Sequence, residues 1–424
     1  MKFAHISDCH LGGWKNELQE LNLQAFFEAI RASIEEKVDF VLITGDLFDN
    51  AMPSVEILKE TAAKFRELKD AGIPCYLIAG SHDYSASGKT FLDVLEKAGL
   101  CRNVASKTNE IEFFESKGLL IAGVSGKRQG LEMEAIKKIK ETLGNQVSGA
   151  RKSEFPAQEI AKQFLCAPKT REFSSDKKSA ELKILALHTS LKEACPEFID
   201  SISIDELPKG FDYYALGHIH KPFCRKHEKG MIVYPGALFP NNFSELEDIE
   251  GGFCIVEKTK EGLKVEREEI RLKEKLIINI EAGNKSPEAV TREILVELKK
   301  NNPLGKIILL RISGTLSFGK TSDINFKEID EAAKGCFALL RNTAGLESPE
   351  FKTQVQVEAK DIDELENEII KKHDVQEKND LNQFVLPLID SLDIEKQEGE
   401  TNPCFEERVF KALGKIMKIE GMLK

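Results

Sequence analysis

Six short apolar runs punctuate the first half of the chain: Lys2 to Ser7, Phe40 to Thr44, Cys75 to Ile78, Leu119 to Val124, Ile184 to Leu187 and Tyr213 to Leu216. Runs this short, rich in Val, Ile, Leu and Phe and bounded by polar turns, read as buried strands. Between the first two, Leu18, Leu21, Phe26, Phe27, Ile30 and Ile34 recur near helical spacing. Between the next two, Val55, Leu58, Ala62, Phe65 and Leu68 do the same. Each early strand is thus followed by a covering helix, which is the pattern of a layered α/β fold. Met231 to Val233, Phe253 to Glu257 and Val265 to Ile270 come without helices between them, and are expected to finish the same domain as antiparallel strands.

Polar, metal-competent residues stand immediately after five of the runs. They are Asp8 and His10 in ISDCH, Asp46 and Asp49 in TGDLFD, Ser81, His82 and Asp83 in AGSHD, His188 in LALHTS, and His218 and His220 in ALGHIH. In a mostly parallel sheet the carboxyl ends of the strands share one edge, where ligands bind, so all five segments can meet at one cleft. Residues i and i+2 of an extended chain face the same side, which lets each Asp-x-His or His-x-His pair grip one ion. Taken singly, a buried His is more often a hydrogen-bonded core residue than a ligand, and a Gly-Asp turn is mostly a turn. His5, inside the first strand, reads as structural. The ordered set points instead to a metal site. Carboxylates mixed with imidazoles, without a thiolate at ligand spacing, suit Mn²⁺, Fe²⁺ or Zn²⁺ better than Ca²⁺.

These motifs resemble the calcineurin-like metallophosphoesterase superfamily. Within it, HISDCHLG, TGDLFD, GHIHKP and YPGAL resemble the SbcD-type double-strand-break repair nucleases, whose eukaryotic members act in meiotic recombination. The resemblance covers Met1 to Arg271 with specific motifs and the rest more loosely. It implies a metallophosphoesterase β-sandwich flanked by helices, with a small α/β capping domain and C-terminal helices. Carried over by position, it implies that Asp8, His10 and His220 hold one metal, that His188, His218 and Ser81 hold the other, and that Asp46 bridges them. His82 matches the family's catalytic His, and Asp83 is expected to orient it. Two Mn²⁺ are expected per chain, with Fe²⁺ or Zn²⁺ as alternatives and Mg²⁺ less suited, activating water against a phosphodiester. Two positions depart from the pattern. Ser81 stands where the family commonly has Asn and is a weaker ligand, and Asp49, which is His in some relatives, is read as tuning the site from behind the ligands. GDLFDNAM also lacks the Arg that protein phosphatases of the superfamily carry after Gly-Asp.

Taken as an average, the net charge of -11 opposes a nucleic-acid partner. One stretch sets that sign: Gln356 to Glu400 holds 14 acidic against 5 basic residues. Between Lys127 and Lys183 the balance reverses, with clusters at Lys137/Lys138/Lys140, Arg151/Lys152 and Lys177/Lys178 that suit a solvated helix as well as a phosphate-binding surface. The pattern restarts near Lys273, so the expected organisation is a nuclease domain over 1–272, a capping domain over 273–347, an acidic linker over 348–400 and a docking helix over 401–424. Phe405, Val409, Leu413, Ile416 and Met417 form an isolated apolar face, begun by Asn402 and Pro403 in cap and first-turn positions. By resemblance that helix binds a coiled-coil ABC ATPase of the SbcC type. Its own-body packing is the alternative.

The expected activity is a Mn²⁺-dependent DNA nuclease, cutting double-strand ends as an exonuclease and single strands or hairpins as an endonuclease. A homodimer is implied by family alone, since Leu21, Phe26 and Phe27 serve equally as core. The competing readings are a small-molecule phosphodiesterase of the cyclic-nucleotide type and a poorly cutting DNA-end scaffold for the ATPase. Single, scattered cysteines and the lack of a secretion signal or membrane span point to an intracellular protein, cytoplasmic and nucleoid-associated if prokaryotic.

Overall fold

The computed structural model describes residues 1–85, 90–106, 112–127, 131–148, 180–196, 199–348, 387–388 and 402–416. The chain divides into two compact units. One comprises Met1–Glu281, Glu288–Ser313 and Ile324–Gly345, the other Ala282–Pro287, Gly314–Asp323 and Leu346–Lys424.

The first unit begins with β1 (Lys2–Ile6), α1 (Glu17–Glu35), β2 (Phe40–Thr44), α2 (Val55–Asp70), β3 (Cys75–Ile78), α3 (Leu92–Lys97) and β4 (Arg102–Asn103). There follow β5 (Phe113–Ser116), β6 (Leu119–Val124), α4 (Glu132–Ser148), β7 (Leu182–His188), β8 (Tyr213–Gly217), β9 (Phe223–His227), β10 (Gly230–Tyr234), α5 (Phe243–Asp248), β11 (Gly251–Thr259) and β12 (Gly262–Ile270). They form two six-stranded sheets, ordered β12-β11-β1-β2-β3-β4 and β5-β6-β7-β8-β10-β9.

Alternation along the strands builds three apolar layers. Phe3, Phe40, Leu42 and Tyr76 of the first sheet meet Ile184, Ala186, Tyr213 and Ala215 of the second in a core between the sheets. The intervening residues Ala4, Ile6, Val41 and Ile43 face outward onto α1 and α2, through Phe26, Ile30 and Phe65. On the far side Leu185, Leu187 and Tyr214 pack with Ile136 and Ile139 of α4. The central strands β1, β2, β3, β7 and β8 are therefore buried on both faces, which is why they read as continuous apolar runs, whereas the outer strands β9 and β12 are largely exposed. Leu21 and Phe26 belong to the core under α1, whereas Phe27 is only partly buried.

β11 and β12 are antiparallel, as the sequence suggested, but the short helix α5 stands between β10 and β11, where no helix was expected, and β10 is not simply antiparallel. It lies parallel to β8 and antiparallel to β9. β9, too polar to be read as a strand, reverses the chain once and returns β10 in the direction of β8. The lysines of α4 are engaged by the protein itself: Lys137 pairs with Glu206 at 3.0 Å and Lys138 with Glu134 at 2.9 Å. The clusters Arg151/Lys152 and Lys177/Lys178 lie outside the described residues.

From Lys275 the chain builds β13 (Lys275–Glu281), α6 (Pro287–Asn301), β14 (Ile307–Thr315), α7 (Phe326–Ala332) and β15 (Ala338–Glu347), with the strands ordered β13-β14-β15 and β13 parallel to β14. Ile307 and Leu309 of β14 join the core beneath α1, with Phe337 and Leu340 beside them. A final helix, α8 (Asn402–Ile416), carries Phe405, Val409, Leu413 and Ile416 partly buried, while Met417 and most of the expected linker lie outside the described residues. Among the described residues no helix is long and apolar enough to cross a membrane.

His5 is fully buried between the sheets, where Nδ1 meets the Tyr213 hydroxyl and Nε2 the Thr44 hydroxyl, each at 2.9 Å. Burial disfavours its charged form and lowers its pKa to about 3. The unfolded chain therefore binds a proton between about pH 6.5 and 3 that the folded chain refuses, so this residue's contribution to stability is lost as pH falls through that window. We expect urea denaturation in EDTA to show His5→Gln with a shallower acid loss than wild type, by up to about 1.4 kcal/mol per pH unit. Parallel pH profiles for the two proteins would contradict this.

Candidate metal centre

The strand ends deliver the expected residues to one place. Asp8 and His10 follow β1, Asp46 and Asp49 follow β2, Ser81, His82 and Asp83 follow β3, His188 ends β7, and His218 and His220 follow β8. Three groups of side chains have ligand atoms within 4.8 Å of one another: Asp8, His10 and His220; His10, Asp46 and His82; and Asp46, His188 and His218. Asp46 belongs to two of them. The backbone is bent out of its ordinary range to achieve this, because Asp8 (φ 50°), His10 (φ 43°), Asp46 (φ 48°) and His218 (φ 94°) all have positive φ. Such conformations cost about 1–3 kcal/mol each and persist where the surroundings impose them.

Hydrogen bonds fix which nitrogen each imidazole offers. His188 Nδ1 donates to the Thr44 carbonyl at 2.9 Å, so Nε2 carries the lone pair. His220 Nδ1 donates to the Glu245 carboxylate at 2.9 Å, with the same result. This outer bond, from ring N–H to a carbonyl or carboxylate, is the usual support of a metal-bound imidazole. His82 Nδ1 donates to the Asp49 carbonyl at 2.7 Å, leaving Nε2 for the cleft.

The lone pairs so defined face one another or face carboxylates. His10 Nε2 lies 3.1 Å from His220 Nε2, while His10 Nδ1 lies 3.3 Å from Asp49 Oδ1. If His10 Nε2 carries the proton, Nδ1 turns its lone pair to a carboxylate; if Nδ1 carries it, two lone pairs oppose each other at Nε2. Only added positive charge satisfies both sides. His188 Nε2 likewise sits 3.1 Å from Asp46 Oδ2. Among the described residues three buried side-chain nitrogens lack a hydrogen-bond partner, and two of them are His10 Nδ1 and His188 Nε2. Buried imidazoles and carboxylates left wanting a cation fit divalent metal ions.

The electrostatics agree. Burial would lower the pKa of His188, but the Asp46 carboxylate overrides it and raises it to about 10, a proton standing where a cation's charge is wanted. Burial would raise Asp46, and His188 and His10 instead hold it far below the usual carboxylate range. Close packing and the neighbouring His188 pull His218 down to about 4, although part of its ring meets solvent. Burial, aided by the Asp46 charge, raises Asp83 to about 6.

Asp83 does not orient His82, as had been expected. Its buried carboxylate accepts from the backbone N–H groups of Gly80 (2.9 Å), Phe48 (3.1 Å) and Leu47 (3.3 Å), tying the loop after β3 to the loop after β2. The partner of His82 is the Asp49 carbonyl. Asp49 thus serves twice, through its carbonyl to His82 and its carboxylate beside His10. Glu245 was missed from the sequence altogether; its only local signal is the N-x-x-E spacing with Asn242, whose side chain caps α5 by accepting from Glu245 N at 2.9 Å. Trp14 donates to the Pro240 carbonyl at 2.7 Å and packs on the core, as a structural residue does.

Two glycines are required by close approach. A Cβ on Gly45 (φ +90°) would lie 2.1 Å from His188 Nδ1, and one on Gly217 would lie 1.9 Å from the Thr44 carbonyl oxygen. Beside the cluster opens a cleft of about 640 Å³, lined by Asp49, Ser81, His82, His188 and His218 and, on its outer wall, by Lys127, Glu132 and Asp200. Ser81 is at its edge, partly buried.

The calcineurin-like phosphoesterase family model matches residues 1–222. The DNA double-strand break repair protein Mre11 of Archaeoglobus fulgidus is 25% identical over 351 residues, covering 78% of this chain and 72% of that protein. The Mre11 protein of Methanocaldococcus jannaschii is 27% identical over 320 residues, covering 72% and 76%. That of Aeropyrum pernix is 29% identical over 281 residues, covering 61% and 60%.

Since Asp46 stands between both imidazole groups, Asp46→Asn removes the charge that each relies on. Calorimetric titration of metal-free protein with Mn²⁺ is expected to find two ions on the wild type and at most one, weakened at least tenfold, on the variant, about what losing an outer-shell partner alone can cost. Equal binding by the two proteins would rule out this arrangement.

Proposed function

The chain belongs to the calcineurin-like phosphoesterase family, and from that premise we propose that it is a Mn²⁺-dependent DNA nuclease of double-strand-break repair. It acts as an exonuclease on duplex ends and as an endonuclease on single strands and hairpins. The supporting observation is a chain of three imidazole–carboxylate groups, linked through His10 and Asp46, beside a cleft large enough for a nucleotide. The Mre11 relatives supply the substrate class.

In this reading Asp8, His10 and His220 would hold one ion, His188, His218 and Ser81 the other, and Asp46 would serve both. The ions supply charge neutralisation for the phosphodiester and a lowered pKa for the attacking water. The protein's own groups do the rest. His82, its Nδ1–H anchored on the Asp49 carbonyl, would meet the phosphate through Nε2 and, with that nitrogen also protonated, give up the Nε2 proton to the departing 3′ oxygen, while the attacking water's proton is lost to solvent. Asp83 supports this indirectly, by fixing the loop that carries His82 against the loop that carries Asp46. Lys127 on the cleft wall adds a positive charge for the nucleic-acid backbone.

Residues 273–347 act as the capping domain that steadies DNA over the cleft. The helix within 401–424 docks on a coiled-coil ABC ATPase of the SbcC type, the protein works as a homodimer, and its place is intracellular, on the nucleoid if the source is prokaryotic.

End-labelled duplex and hairpin DNA should be cleaved in Mn²⁺ and spared in EDTA. His82→Ala should lower kcat by about 10²–10⁴-fold, the usual worth of a general acid, while still binding Mn²⁺. Hydrolysis of a chromogenic small diester with no cleavage of DNA would favour the small-molecule reading, and DNA binding without cleavage the scaffold. Separately, Val409→Asp with Leu413→Asp should abolish capture of the ATPase and leave Mn²⁺-dependent cleavage intact; capture undiminished would remove the docking role.

A further inference from the structure

We propose that Arg311 and Lys275, on two strands of the three-stranded sheet, are positioning residues for the metal ligand His220, acting through helix α5. The state of that sheet then sets the affinity of one of the two ions. This rests on the reading of Asp8, His10 and His220 as ligands of a single ion.

α5 has six residues, fewer than two turns, and a helix that short is held by its contacts and not by its own hydrogen bonds. Its contacts divide by face. At 100° per residue, Phe243 and Glu247 lie on one side, Glu245 is turned about 200° from Phe243, and Leu246, 1% exposed, points into the core.

Glu245 holds the inner side. It accepts from His220 Nδ1 at 2.9 Å and from Asn241 N at 2.7 Å. Arg311 of β14 holds the opposite side: Nε lies 3.2 Å from both Glu247 oxygens, a terminal nitrogen makes a still closer contact, and the guanidinium lies over the Phe243 ring at 5.1 Å. Lys275 of β13 closes the end of the helix, donating to the Ile249 carbonyl at 3.0 Å and pairing with Glu250 at 2.9 Å. The same short helix is therefore gripped from behind by two strands of one sheet and presents, in front, the carboxylate that fixes a ligand's tautomer and aim.

The second group is built differently. His188 is fixed by the Thr44 carbonyl, inside the sandwich and without any contact through α5. Loosening α5 should therefore act on one ion and spare the other, a selectivity that general destabilisation does not produce.

The test is metal binding by the full chain, with Mn²⁺ followed by calorimetry and Co²⁺ by its visible spectrum. Wild type should bind two ions. Arg311→Ala and Lys275→Ala should each weaken one ion roughly tenfold, the lower end of what loss of an outer-shell partner costs, and leave the other unchanged. Glu245→Ala should weaken that same ion, and adding Arg311→Ala to it should cost nothing further. Two ions bound as in wild type, equal weakening of both, or additive losses in the double variant would each overturn the route through α5. If wild type itself fails to bind two ions, the ligand assignment is at fault, and this inference goes with it.

Discussion

Three carboxylates, those of Asp8, Asp46 and Asp83, are buried within 2% exposure at one edge of a β-sandwich, and the surroundings follow from the expense of keeping charge there. Each is met in its own way. Asp8 accepts from His218 N–H with both oxygens, at 2.9 and 3.1 Å. Asp83 takes three backbone N–H groups. Asp46 accepts a single backbone bond, from His82 N at 2.8 Å, and is otherwise faced by imidazoles. Like Asp8 it has one backbone donor, but two imidazoles, those of His10 at 3.8 Å and His188 at 3.1 Å, face its other oxygen, which is the setting expected of a residue between two cations.

Around that charge the protein spends its glycines and its unusual backbone. Gly45 and Gly217 bring the chain within contact of His188 and Thr44, and positive φ at four candidate ligands turns their side chains inward from the strand ends. A layer of acceptors behind the imidazoles, from Thr44, Asp49 and Glu245, fixes their tautomers. Phosphodiester chemistry needs positive charge held still at a cleft, and these bonds hold the donors before any ion arrives.

The cluster is also tied outward. α5 joins His220 to a sheet that begins 55 residues later in the chain, at Lys275, and His82 depends on the turn after a different strand. A centre assembled from five strand ends responds to the packing of everything that positions those ends. The central strands of the two six-stranded sheets, buried on both faces, give it a stiff base.

The sequence alone indicated the layered α/β class and the convergence of Asp8, His10, Asp46, His82, His188, His218 and His220 on one cleft, because short apolar runs, helical spacing and strand-end placement are local properties of a chain. It could not show the parallel return of β10, since that depends on β9, whose polar residues carry no strand signal. Neighbourhood in sequence misled at Asp83, which lies next to His82 but turns its carboxylate to the loop after β2. Tertiary structure alone decided the outer partners: Glu245 for His220, Asp49 for His82, Thr44 for His188 and Arg311 for Glu247, separated by 25, 33, 144 and 64 positions. Bonds over such distances are made by whichever groups the packed sheets and helices bring within about 3 Å, and no local pattern encodes that meeting.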